Sequence, residues 1–118
     1  MKKYDLEDRT LAFAKEVISL INKISKTLPN IEIVKQLVRS SGSVGANYIE
    51  ANESLGRKDF AMRIKICKKE SKESRYWLQL LECPDDLNVL RGSLIQESTE
   101  LMKIFGAILE KTKEVYTT

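Results

Sequence analysis

Apolar residues recur at three- and four-residue steps along nearly all of this 118-residue chain, and that period constrains its fold more than any other feature. A side chain that returns every 3.6 positions lines one face of an α-helix, whereas the faces of a strand alternate at every second residue. The first run is Leu11, Ala14, Val17, Ile18, Ile21, Ile24 and Leu28, with Lys15, Glu16, Asn22, Lys23 and Lys26 on the other side. Pro29-Asn30 is expected to stop this helix, because proline has no amide hydrogen and disfavours helical geometry in the residue before it.

A second run holds Ile31, Val34, Leu37, Val38, Ser41, Val44, Tyr48, Ile49 and Leu55. Its middle, Ser40-Ser41-Gly42-Ser43-Val44-Gly45-Ala46, contains two glycines, each unfavourable in a helix by about 1 kcal/mol relative to alanine. A loop here would split the segment in two. A continuous helix is the preferred reading, because the apolar spacing stays in phase and small residues allow helices to approach closely. Gly56 is expected to end it. The third run carries Phe60, Ile64, Cys67, Ser71, Ser74, Leu78 and Leu81 and stops at Pro84; Asp85-Asp86 then open a fourth with Leu87, Leu90, Leu94, Leu101, Ile104, Phe105, Ile108 and Leu109. The spacing predicts helices over about 8–28, 32–55, 58–82 and 86–114. No strand pattern, low-complexity tract or linker interrupts them. Short connections make consecutive helices antiparallel neighbours, so the expected fold is all-α, an up-down-up-down four-helix bundle forming a single domain over 1–118.

The chain contains no histidine. That removes the usual general base, the common nucleophile arrangements and the commonest metal ligand. Di-iron bundles use inward carboxylates with Glu-x-x-His pairs, which this sequence cannot supply. Ser40, Ser41, Ser43, Ser71 and Ser74 have no base to activate them, and Gly42-Ser43-Val44-Gly45 lacks the spacing and the Lys-Ser/Thr of a phosphate loop. Ser41 and Gly45 read as helix-packing residues. Asn47, Glu50, Glu70 and Glu73 are candidate structural polar groups, with Asn47 and Glu50 placed near an inner face to fix register. No enzyme, metal or cofactor is expected.

Cys67 and Cys83 do not make a disulfide framework and read as reduced thiols. Met1-Lys2-Lys3-Tyr4-Asp5-Leu6-Glu7-Asp8 turns acidic where a signal peptide turns apolar, and no apolar run approaches the ~20 residues that span a bilayer. A cytoplasmic protein with no membrane partner is the expectation.

Charge is more informative than the formal net of +3. Eight basic residues lie between Arg57 and Arg75 against three acids, Asp59, Glu70 and Glu73. Lys58, Lys65, Lys68, Lys69 and Lys72 fall on one strip of the third helix and can neutralise several phosphates. From Glu82 to Glu100 five acids face the single Arg91, so the strip can instead be a solvated face or pair with the acidic segment of a neighbouring copy. Tyr76 and Trp77 follow the strip and are candidate oligomer contacts.

Two stretches are similar to a known family. Arg39-Ser40-Ser41-Gly42-Ser43-Val44-Gly45-Ala46-Asn47-Tyr48-Ile49-Glu50-Ala51 resembles the second-helix signature of the 23S rRNA intervening-sequence proteins. Lys58-Asp59-Phe60, Ile64, Ile66-Cys67 and Lys69-Glu70-Ser71-Lys72-Glu73-Ser74-Arg75-Tyr76-Trp77-Leu78 resemble its third-helix signature, and 97–113 fits its fourth helix. The resemblance implies a bacterial helical bundle that assembles into a homopentamer, with nucleic acid as the expected ligand and no catalytic residue. A related bundle, the accessory protein of diversity-generating retroelements, partners a reverse transcriptase, so a nucleic-acid-processing protein is a further expected partner. Two function readings follow: an oligomeric scaffold that contacts RNA or DNA backbone through its basic strip, or a structural and protein-interaction module whose charges serve subunit pairing.

Overall fold

The computed structural model describes the backbone of residues 5–117 and the side chains of residues 6–113. Four α-helices, α1 (Asp5–Ile21), α2 (Leu28–Asn52), α3 (Arg57–Leu80) and α4 (Asn88–Thr117), form an antiparallel bundle with no strand among the described residues. A single 3₁₀ turn, Asp85–Leu87, leads into α4. The bundle measures 51 × 25 × 20 Å. Its centre is the α2–α3–α4 packing, with α1 laid against α2 and more lightly against α4.

The helix ends correct several expectations. α1 stops at Ile21 rather than near residue 28, because Lys23 and Ile24 tighten the last turn by bonding back to Leu20 O at 3.0 Å and Ile21 O at 3.3 Å. Pro29 does not end α1; it sits in the first turn of α2, where its missing N–H would have lacked a partner anyway. Thr27 caps that turn, its hydroxyl accepting the Asn30 N–H at 3.2 Å. α2 ends at Asn52 with Glu53 as its cap, leaving Leu55 fully exposed. Gly56 is therefore not a helix stop but the extended residue that begins α3. The helix does run unbroken through Ser40 to Ala46.

The α1 core stripe is also shifted. Leu6, Thr10, Phe13, Val17 and Leu20 are buried, whereas Leu11 and Ile18 face solvent, as does Leu28, which opens α2 instead of closing α1. Both sets obey helical spacing and lie one step apart, so periodicity alone does not choose between them.

Small residues set the helix spacing. Ser40, Ser41, Ser71 and Ser74 are buried, and Ser74 Oγ of α3 lies 2.9 Å from Ser40 Oγ of α2. Gly45 faces α1: a methyl there would stand 2.9 Å from Thr10 Oγ1 and 3.2 Å from Thr10 Cβ. Thr10 cannot easily yield, since its hydroxyl donates to Leu6 O at 2.9 Å. Asn30 ties the far end, donating to Ser25 O and Glu82 O at 3.0 Å and accepting the Glu82 N–H at 2.9 Å.

Replacing Gly45 with alanine should therefore destabilise the bundle by about 1–3 kcal/mol, because α1 must shift. The same change at Gly92, where nothing lies within 4 Å of the added carbon, should stabilise it by up to about 1 kcal/mol. Urea unfolding of the two variants decides; equal shifts would contradict the Gly45–Thr10 contact.

Candidate functional site

The outward face of α3 carries a straight ridge of cations. Positions 58, 62, 65, 69, 72 and 76 fall within a narrow arc at 3.6 residues per turn, and all six are exposed. Lys58, Lys65, Lys69 and Lys72 supply the charge, with Met62 between the first two and Tyr76 at the end; Lys58 to Lys72 spans about 21 Å of helix. Lys68 stands at the α4 edge, where a methyl added at Gly106 would meet its Nζ at 3.7 Å. Lys58, Lys65, Lys68 and Lys72 make no ion pair among the described residues, and Lys69 reaches only Glu70 at 3.9 Å.

Two of the three acids in this stretch are turned away from the ridge. Glu70 and Glu73 lie on the flank of α3 that meets α2, and Arg39 of α2 binds both. Its Nη1 donates to Glu70 Oε1 at 3.4 Å and its Nη2 to Glu73 Oε2. Glu73 Oε2 also accepts the Trp77 indole N–H at 3.1 Å. The Glu70 side chain is 8% exposed, so its carboxylate is held by the guanidinium rather than by bulk water. The hydrogen bond to Glu73 is the main reason Arg39 holds its proton more firmly than an ordinary arginine. Arg63 and Arg75 are also directed sideways, Arg63 to Asn47 Oδ1 of α2 at 3.0 Å and Arg75 to Thr99 Oγ1 of α4 at 3.5 Å. Among the basic side chains from position 58 to the end of α3, only the lysines remain outward.

The other predicted positions are scattered by the fold. Ser41 is buried on α2, its hydroxyl 3.4 Å from Val38 O. Asn47 donates to Ser43 O at 2.9 Å while accepting from Arg63, which links α2 to α3. Glu50 corrects its assignment: it is exposed, away from the inner face, because α2 turns Tyr48 and Ala51 into the core. Tyr76 is exposed, but Trp77 is half-buried and packs against the core; their rings meet edge-to-face at 5.0 Å.

Most acids of the 82–100 segment have partners within the chain. Glu97 receives a two-point contact from Arg9, 2.7 Å from Nε and 2.8 Å from Nη2, and Glu100 accepts from Gln96 at 2.8 Å. Glu82 accepts the Thr27 hydroxyl at 3.0 Å.

Among the described residues no group of three or more His, Cys, Asp or Glu is placed to hold a metal, and no helix is long and apolar enough to cross a membrane. An open cleft of about 530 Å³ at the α2–α3 turn is lined by Leu55, Phe60 and Ile108 with Ser54, Arg57 and Lys111, with no carboxylate among the described lining residues. Both cysteines are free thiols. Cys67 is buried and donates to Val44 O at 3.4 Å, and burial pushes its pKa from 9.0 to about 12.

A lysine-faced α3 clamped to α2 by Arg39 is thus set in a four-helix frame, and the family model for the 23S rRNA-intervening sequence protein matches residues 2–111. The chain belongs to this 23S rRNA-intervening sequence protein family. A crystal structure of a protein of unknown function from the S23 ribosomal protein family of Bacteroides thetaiotaomicron VPI-5482 is similar, at 31% identity and a TM-score of 0.74, covering 87% of this chain and 96% of that one. No curated protein matches the chain.

In this family member, Arg39 and Asn30 are the polar residues that sequence reading passed over. Arg39 has partners 31 and 34 positions away, on another helix. The only trace in the sequence is two glutamates spaced three apart, which share one flank of a helix. Asn30 looked like part of a stop signal.

The thiols give a direct check. Cys67 favours the fold below pH 9, where the thiol is protonated both folded and unfolded, and that contribution is lost as pH rises towards about 12. Native protein at pH 8 should expose one reactive thiol, the partly buried Cys83, to a disulfide reagent, and two once unfolded. Two fast thiols in the native protein would contradict the burial of Cys67.

Proposed function

We propose that this protein is a non-enzymatic, homo-oligomeric cytoplasmic scaffold that holds RNA or DNA backbone along the outward lysine ridge of α3. One observation carries the reading: Arg39 engages Glu70 and Glu73 on the α2 flank, so Lys58, Lys65 and Lys72, with Lys68 at the α4 edge, present positive charge that no carboxylate pairs among the described residues, and Lys69 reaches only Glu70 at 3.9 Å. A row of ammonium groups suits phosphates, since each neutralised phosphate releases condensed counterions. Lysines position a backbone without reading base edges, so the contact is indifferent to sequence.

A specific observation also supports self-association, whether or not nucleic acid binds. Leu11 and Ile18 of α1 and Val38 and Ile49 of α2 are 44–54% exposed and follow the seam between those helices. Burying such side chains against a second copy would remove apolar surface from water. A homo-oligomer through this seam, a pentamer on the family resemblance, is the assembly proposed. If the ridge binds nothing, the structural and protein-interaction module remains.

Affinity for structured RNA or duplex should fall steeply with added salt. Changing Lys65, Lys69 and Lys72 together to glutamine should weaken binding and flatten the salt slope by about one unit per lost contact, with helicity kept because glutamine is nearly as good a helix former. Wild-type protein that shifts no RNA or DNA at about 50 mM salt overturns the ridge reading. Light scattering that returns a 13.5 kDa monomer overturns the assembly.

A further inference from the structure

The lysine ridge ends on an aromatic ring. Tyr76 lies one turn beyond Lys72 on the same line of α3, about 6 Å further along the axis, and is 56% exposed. Its ring is braced. Trp77 meets it edge-to-face at 5.0 Å and 75°, the Trp77 indole N–H is anchored on Glu73, and Arg39 holds Glu73 from α2. A half-exposed ring set against Trp77 at the end of a cation row has the form of a stacking platform beside a backbone track.

Which nucleic acid fits that arrangement follows from what each group needs. Lysines bind phosphate in any strand, single or paired. A tyrosine face gains contact only from a base whose own face is open, and within an uninterrupted duplex both faces of each base are covered by neighbours. The ridge itself carries no arginine fork to read base edges, because Arg63 and Arg75 are directed sideways, each with one nitrogen bonded to Asn47 or Thr99. We infer that the α3 ridge binds single-stranded nucleic acid in preference to continuous duplex, the lysines on the backbone and Tyr76 stacked on one unpaired base, without base preference. This rests on the reading of the ridge as a nucleic-acid contact and adds to it the class of ligand.

The test uses the full chain at about 50 mM salt with three probes: a short adenine single strand, the duplex made from it, and the same strand carrying abasic positions. The intact strand should bind about tenfold tighter than the other two, the order of one base–aromatic stack. Emission from Trp77, the single tryptophan, should change with the intact strand and not with the abasic one. Tyr76→Leu should bring the intact strand down to the duplex level while leaving duplex affinity unchanged, and Tyr76→Phe should keep the preference. Equal affinity for strand and duplex overturns the inference while leaving the lysine ridge standing. A Tyr76→Leu variant that loses oligomer mass and both affinities together also overturns it, and assigns Tyr76 to a contact between copies. Absence of binding to any probe removes the underlying ridge reading as well.

Discussion

Arg39 decides which charges α3 shows to solvent. The helix carries eight basic residues against three acids, with two glutamates set among the lysines at 69–73, and in a free helix those glutamates would pair with neighbouring lysines. The guanidinium opposes this by engaging Glu70 and Glu73 from across the helix interface. Two carboxylates are engaged by the guanidinium on the α2 flank, and of the outer-face lysines only Lys69 keeps a carboxylate, Glu70 at 3.9 Å, within ion-pair distance. A planar, permanently charged group is suited to this, because it can address two carboxylates at once through separate nitrogens.

The clamp depends on close helix packing. Ser40 and Ser74 meet at the α2–α3 contact with hydroxyls 2.9 Å apart, which bulkier side chains would not allow, and Arg39 adjoins Ser40 in sequence. Asn30 fastens the end of α3 to the start of α2 through two hydrogen bonds with Glu82, and the Gly45–Thr10 contact seats α1. A ridge on a helix held along its length and at its end needs little ordering on binding, and ordering opposes association. The same packing leaves Leu11, Ile18, Val38 and Ile49 about half exposed beside α1 and α2.

Much of this frame was legible in the sequence. The 3.6 period gave the four helices, and in-phase spacing carried α2 correctly through Gly42 and Gly45. What misled were residues with two possible meanings. Pro29 can close one helix or open the next, and the Thr27 cap three residues before Asn30 made it an opening. Gly56 likewise starts α3 instead of ending α2. Leu11 and Ile18 keep perfect helical spacing yet belong to an exposed second stripe, and Glu50 is turned out by the same rotation that buries Tyr48. The lysine strip was readable because it lies on one helix. Its lack of compensation was not, since that depends on an arginine more than thirty positions away.

If Arg39 silences Glu73, a double-mutant cycle on the proposed nucleic-acid affinity shows it. In the wild type Glu73 is already neutralised, so Glu73→Gln should change affinity for a single strand very little. In an Arg39→Met background the freed carboxylate lies beside the ridge, so the same Glu73→Gln change should restore several-fold of lost affinity. A large coupling between the two positions is the predicted result. An equal effect of Glu73→Gln in both backgrounds would show the charges acting additively at a distance, and would contradict the account.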